Sequence, residues 1–566
     1  MTQLGLLQDT IPVVANSTER GVRFPSPLPN QRVQNLDTGN IERWTNGSWT
    51  AEYLLSAGGI LNAKTYGATG DGSTDDTVAI QAAITAANAA GGGVVYLPNG
   101  TYKITDTLVM QSNVTLCGAG KDVTSLTGTM ATTTDMAIYA QTETNTTIRD
   151  LTIAGTHSWG IFISGGSGHR IERCVVSGGT SRDSSGSKGG GLFAENTTDV
   201  IVDDNTFSGN GVADGTAWFD ILFNYGTYSV TNSRVSRNRL LSTTVDINFA
   251  AFDCRRLLIE SNLVTGGRTS SSTPNTGGYG IAVYKNSGFP AADAGECVIR
   301  GNHVYGVDGT GIYVQSIRDC VVSDNLVEDS CSVQADTSLT VAGIGIHDSA
   351  GCVVTGNKVL DSGQAGIGIT TSVTNANKCV VVGNQIENVT KIGVSVRGAV
   401  TDLTVSGNTI INCGYDGVGS YSDVAAARVS VIGNVIRGIT GGGNRGVYAA
   451  PTATAWVIKD NLISDLSGGG QAITATGSDH VVDAWTGSKT WDPGNIINGA
   501  QGSTTVTVTG AALGDTASAC FSLDLQALGI TAYVSAANTV TVVLQNNTGG
   551  AIDLGSGTLK AKVTRN

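Results

Sequence analysis

The chain has 566 residues, 77 of them glycine, only 14% charged, and a formal net charge of −13. That size allows two or three structural units, while the scarcity of Glu, Lys, Leu and Arg argues against a helix-rich fold. The acidic balance argues against a nucleic-acid partner, which needs clustered Lys and Arg. No apolar run approaches the ~20 residues that cross a bilayer, so no membrane insertion is expected.

In chain order, residues 1–56 open without a basic stretch followed by an apolar one, so no signal peptide is expected. They carry Pro25-Ser26-Pro27-Leu28-Pro29 and a polar run, and read as a small separate segment. Residues 62–103 read as a short strand, an amphipathic helix over roughly 75–90, and a first long strand. Ser73, Thr74 or Asp75 can cap the helix, Val78, Ile80, Ala83, Ile84 and Ala87 form its apolar face, and Gly91–Gly93 end it. Such a helix covers a strand edge that is otherwise unpaired.

From there a short pattern recurs: apolar, two residues, Asn, one residue, apolar. Its asparagines are Asn205, Asn238, Asn262, Asn302, Asn325, Asn357, Asn384, Asn408, Asn434 and Asn461, mostly 23 to 33 apart, with one gap of 40. A period in the mid-twenties with β-branched neighbours predicts a parallel β-solenoid of roughly a dozen coils. One Asn at the same corner of each coil predicts a ladder of buried amides that bond one another.

Five residues before each Asn, the column Val200, Ser233, Leu257, Cys297, Cys320, Cys352, Cys379, Leu403, Val429 and Trp456 is almost wholly apolar and should face the core. The ten cysteines form no CxxC pair and have no histidine at zinc-ligand spacing, so they read as small packing residues, and no metal or cofactor is expected. After about Gly499 alternating strands return (STTVTVTG, ITAYVSA, TVTVVLQN), a pattern that suits a small antiparallel sandwich.

The stretch Tyr66-Gly67-Ala68, Asp71-Gly72, Asp75-Asp76-Thr77 and Gly91-Gly92-Gly93-Val94-Val95-Tyr96-Leu97-Pro98 closely resembles the opening motif of the pectate-lyase-like β-helix superfamily. With the repeats, the resemblance covers about residues 60–480 and is most like the branch found in bacteriophage tailspikes and capsule depolymerases. It implies an all-β, right-handed parallel β-helix over 57–485 with an N-terminal capping helix, a particle-attachment segment at 1–56, and a β-sandwich at 486–566. It further implies a homotrimer on a phage tail or baseplate, acting outside the cell on a bacterial surface polysaccharide. The paired aspartates and Gly-His-Gly of polygalacturonases are missing, as are the calcium-site and arginine pattern of pectate lyases.

Candidate chemistry therefore comes from the coil register. A second strand in each coil (WGIFIS, GGLFAE, FDILFN, NFAAFD, YGIAVY, TGIYVQ, AGIGIH) aligns an outward column Ser164, Glu195, Asn224, Asp253, Tyr284, Gln315, His347, Thr370, Arg397, Tyr421 and Ala450. With Asp220, this gathers three carboxylates on adjacent coils, and Glu195 as acid with Asp253 as base suits an inverting glycosidase. Trp218, Phe193 and Tyr313 offer flat faces to sugar rings, and Arg255, Arg256 and Lys285 can hold an acidic sugar. Asp246 and the loop 265–278 fall beside this trio. A competing cluster, Tyr284, Gln315 and His347 with Lys285 and Arg397, suits a uronate lyase instead. A fibre that grips glycan without cutting it is the third expectation.

Overall fold

The computed structural model describes residues 59–564 except 131–134, 182–187, 212–216, 225–229, 268–277, 286–293, 333–340, 373–377, 421–425, 442, 468–469, 476–479 and 483–484. Before residue 59 it describes only residues 13–14, 18, 32–35, 41–45 and 48–51. The Pro25–Pro29 stretch, most of the 265–278 loop and Tyr421 lie outside the described residues. The fold is a right-handed parallel β-helix with little helix and a small antiparallel part at its C-terminal end. It divides into two compact units, Met1–Gly266 and Gly267–Asn566.

In the first unit, each coil gives one strand to each of three parallel sheets. Arg170–Glu172, Val175–Val176 and Lys188–Glu195 make one coil, and each pairs with its counterpart in the next. The helix Thr77–Ala89 buries Thr77, Ile80, Ala83, Ile84 and Ala87, whereas Val78, expected on that face, is 79% exposed. Its first N–H is capped by the Asp75 carboxylate, 3.0 Å from Thr77 N. The neighbouring Asp76 accepts from Thr69 N and Gly70 N at 2.6 and 3.1 Å, so these motif aspartates are turn residues. Ahead of the solenoid, Ile41–Thr45 and Ser48–Ala51 form a hairpin.

The second unit repeats the three-sheet plan, as in Val321–Ser323, Leu326–Ser330 and Ala342–His347. Its asparagine ladder runs from Asn302 through Asn325, Asn357, Asn384, Asn408 and Asn434 to Asn461, each Nδ2 2.9–3.0 Å from the next Oδ1. The same oxygen accepts the preceding asparagine's backbone N–H, as Asn384 Oδ1 does from Asn357 N at 3.0 Å, so each amide closes its corner without an orphaned group. The first unit has the same ladder from Asn205 through Asn238 to Asn262. Cys297, Cys320, Cys352 and Cys379 are all buried, as the column predicts.

The glycine that opens the third strand of most coils is required by close approach. A Cβ on Gly343 would fall 2.4 Å from Val359 Cγ1, and one on Gly393 2.3 Å from Ile410 Cγ2. At its end the second unit carries two antiparallel three-stranded sheets, Trp485–Trp491/Gly557–Thr564/Thr516–Phe521 and Gln501–Thr507/Thr539–Gln545/Gly529–Ala536. Ile496, Leu528, Leu544 and Leu554 form their core.

Candidate functional site

In the first unit, Ser164 pairs with Glu195, and Ala194 pairs with Phe223, so Asn224 follows Glu195 in the outward column. The next coil differs from the sequence alignment. Phe223 pairs with Ala251, which puts Phe252 rather than Asp253 beside Asn224. Asp253 is displaced by one residue to the corner, where it takes a left-handed φ of 51° and is 1% exposed. Its carboxyl does not lie on the outer face with Glu195.

Asp220 is also corrected. It occupies the column of inward glycines (Gly160, Gly191) and is fully buried. Asn210 Nδ2 donates to it at 2.9 Å, Asn248 Nδ2 at 3.0 Å, and the Ser242 hydroxyl and backbone N–H complete its shell. Burial pushes its carboxyl up, against the pull of these donors. A carboxylate fits among the glycines because Asn210, Ser242 and Asn248 replace apolar neighbours.

Glu195 alone of the trio is partly exposed, and it accepts from Ser164 Oγ at 3.2 Å. Beside it Phe162 and Phe193 stack at 4.7 Å and 6°. Phe193 is 8% exposed, and Trp218 is 1% exposed, so the Trp218 ring is packing and not a sugar platform. Arg255 is partly exposed at a coil corner, and Asp246 accepts from Trp218 N at 3.1 Å.

The second unit holds the competing cluster in register. Tyr284 pairs with Gln315, Gln315 with His347, His347 with Thr370, and Thr370 with Arg397. All except Thr370 are partly exposed, as is Lys285 directly after Tyr284. In the neighbouring outward column Tyr313 pairs with Gly345, then Gly368, Ser395 and Gly419 follow.

Tyr313 joins the two columns. Its hydroxyl lies 2.7 Å from His347 Nδ1, and His347 Nε2 lies 3.2 Å from Asp348 Oδ2. With Nε2–H facing the carboxylate, Nδ1 is the acceptor and the tyrosine O–H donates to it. Asp348 is held by Thr371 Oγ1, Ser372 N and Ser372 Oγ at 2.7–2.9 Å. Tyr279 stacks on Tyr313 at 5.0 Å and 9°, and Tyr284 meets Tyr313 edge-on at 5.6 Å.

Burial lowers the His347 pKa, with Asp348 opposing, so the ring stays neutral near pH 7. Burial raises the Tyr313 and Tyr284 hydroxyls well above their ordinary value. A neutral imidazole oriented by a carboxylate and hydrogen-bonded to a phenol is an arrangement that moves protons. Sequence reasoning assigned Tyr313 to sugar stacking and missed Asp348. The dipeptide His347-Asp348, with a tyrosine one coil earlier, is the signal that pointed to both. Among the described residues, no group of three His, Cys, Asp or Glu could hold a metal ion.

Residues 60–216 match the family model for rhamnogalacturonase A/epimerase, pectate lyase-like, and residues 287–454 match that for the right-handed beta helix region. A mannuronan C5-epimerase of Azotobacter vinelandii is 37% identical over 147 residues, 24% of this chain and 7% of that protein. The preneck appendage protein of Bacillus phage PZA is 35% identical over 97 residues, 16% of this chain and 11% of that protein. The chain thus spans about a tenth or less of the length of these curated relatives. The tailspike protein of E. coli bacteriophage HK620, solved with a pentasaccharide, aligns over 92% of this chain and 96% of its own, at 13% identity and a TM-score of 0.51. That likeness is one of fold.

Proposed function

We propose that this chain, a pectate-lyase-like right-handed parallel β-helix protein, acts on a uronate-containing polysaccharide by abstracting the proton at C5. The observation that carries the reading is the Tyr313–His347–Asp348 chain of hydrogen-bonding groups on an outer face of the solenoid. Tyr313 Oη takes the C5 proton as its own proton passes to His347 Nδ1, and Asp348 stabilises the resulting imidazolium. The C5 electron pair forms the C4–C5 double bond, the C4–O bond breaks, and Tyr313 protonates the departing oxygen. His347 then returns its proton to Tyr313, so both end as they began. Lys285 is the cation suited to the carboxylate of the reacting sugar, whose neutralisation acidifies C5.

The setting that fits this chemistry is a phage-tail depolymerase for bacterial capsular or exopolysaccharide, with residues 1–56 as attachment segment and a homotrimeric assembly. The matched segment of the phage appendage protein and the tailspike-like fold support it. Light scattering on the full chain tests the trimer.

A hydrolase acting through Glu195 is the second reading, favoured by that residue's partial exposure beside the Phe162–Phe193 stack. Incubation with a panel of bacterial polysaccharides separates them. Elimination gives ultraviolet-absorbing unsaturated ends and depends on Tyr313; hydrolysis gives reducing ends without them and depends on Glu195. Retention of glycan with neither product would mark a binding fibre.

A further inference from the structure

The last coil of the solenoid, in the second unit, ends over a cavity. Ile463 and Ile473 stand in register with Ile436 and Val447 of the coil before. Those two are fully buried, whereas Ile463 and Ile473 are only partly buried, because Leu462–Leu466 and Gln471–Ala475 are the end strands of their sheets. With Ala472 they make one apolar wall of a space of about 690 Å³. That volume lies within the range of about 300–1,000 Å³ usual for small-molecule sites.

The opposite wall is polar and cationic. It is the face of the sheet Trp485–Trp491/Gly557–Thr564/Thr516–Phe521 that carries two cross-strand rows, Ser488–Lys560–Cys520 and Thr486–Lys562–Ser518. Lys560 and Lys562 are two residues apart, so their side chains leave the same side of the strand. Both are exposed, and no acidic side chain lines the cavity among the described residues. The chain as a whole has 46 Asp and Glu against 33 Lys and Arg, so this pair is a local reversal of charge that draws an anion.

We infer that this cavity is a second binding site for a uronate-bearing stretch of glycan, separate from the reacting face. The sugar carboxylate takes the ammonium groups of Lys560 and Lys562 as charge-assisted partners. The hydroxyls of Thr486, Ser488 and Ser518 meet ring hydroxyls, and the C–H face of the ring covers Ile463 and Ile473. An inorganic anion would use the lysines and leave the apolar wall uncovered. The site rests on the proposed function for the choice of a uronate chain. From His347 to Gln471 is five coils along the third sheet, roughly 24 Å at about 4.8 Å per coil. One polysaccharide chain can therefore engage both places on the same unit, and the second contact is gained at high effective concentration.

Cys520 supplies the readout, since it lines the cavity and is exposed while the other nine cysteines are buried. The full chain is alkylated with iodoacetamide in the presence of tetramers of galacturonate, glucuronate, mannuronate and guluronate, their carboxyl-reduced counterparts, or inorganic phosphate. At least one tetrauronate should slow Cys520 alkylation about fivefold or more at saturation. In the double variant K560Q/K562Q the concentration giving half protection should rise at least about tenfold, with circular dichroism as the folding control. No protection by any tetrauronate, equal protection by a carboxyl-reduced tetramer or by phosphate, or an unchanged half-protecting concentration in K560Q/K562Q overturns the site. Y313F should be protected as wild type is; loss of protection in Y313F would place the bound sugar on the reacting face and overturn a separate site. If protection holds while the wild type forms no unsaturated ends from any uronate chain, this site stands and the elimination reading fails.

Discussion

Tyr313 and His347 come from adjacent coils, 34 residues apart in sequence, and meet at 2.7 Å between the phenol oxygen and Nδ1. The contact crosses from one outward column to the next. Gly345, two residues before His347, lies under the tyrosine ring: a Cβ there would be 3.1 Å from it, so a branched side chain has to push the ring aside. Replacing Gly345 by valine should therefore unseat Tyr313 and reduce turnover with little effect on KM. Steady-state kinetics with circular dichroism as a folding control check this.

Removing the base should be more severe. H347A and Y313F should each lower kcat by about 10²–10⁴-fold, the usual worth of a positioned acid or base. D348N should cost less, since it disturbs the imidazole without removing it. Because burial depresses the His347 pKa, the neutral imidazole persists below pH 6.5. The acid limb of the kcat/KM profile should fall below that value, and D348N should move it lower still by removing the one group that raises it.

Stability should follow pH through the buried histidines. His157 is fully buried and its pKa is lowered from 6.5 to about 4, with His169 and His347 lowered in the same direction. For each, the unfolded chain binds the proton first, so stability is complete above pH 6.5 and is lost as pH falls toward 4. For His157 alone the loss is on the order of 3 kcal/mol. Asp220 has the opposite sign, since its raised pKa favours the protonated fold as pH falls. Urea melts at pH 7 and pH 4.5 should show the decline, and H157N should reduce it.

D220A should act on stability and not on chemistry. It strands the donors of Asn210, Ser242 and Asn248 inside the first unit and should cost about 1–3 kcal/mol for each donor left unsatisfied. Among molecules that stay folded, specific activity should be unchanged.

The solenoid was legible because its periodic positions answer to local rules. Asn at one corner, an apolar column five residues earlier and a glycine opening the third strand each recur with the coil, so register could be counted from the Asn ladder. Counting failed where a coil gains or loses a residue between columns. The alignment put Asp253 beside Asn224, but the strand Ile247–Phe252 ends one residue earlier and leaves Asp253 turned into a corner. Asp220 was misread for a different reason. Glycine carries no side chain to reveal its direction, so the column it replaces could not be recognised as inward until its packing against Val176 and Phe207 was seen. In the second unit the outward row Tyr284, Gln315, His347 was read correctly. The tyrosine that completes it sits in a parallel column, and only the side-chain geometry links the two.

The measurement that bears most directly on the central claim is product analysis of the wild-type chain and Y313F on a uronate polysaccharide that the protein cleaves. Unsaturated ends should appear in step with reducing ends for the wild type and be lost in Y313F, while E195Q keeps full activity. Reducing ends without unsaturation, abolished in E195Q and retained in Y313F, would contradict proton abstraction at C5 and transfer the active site to Glu195.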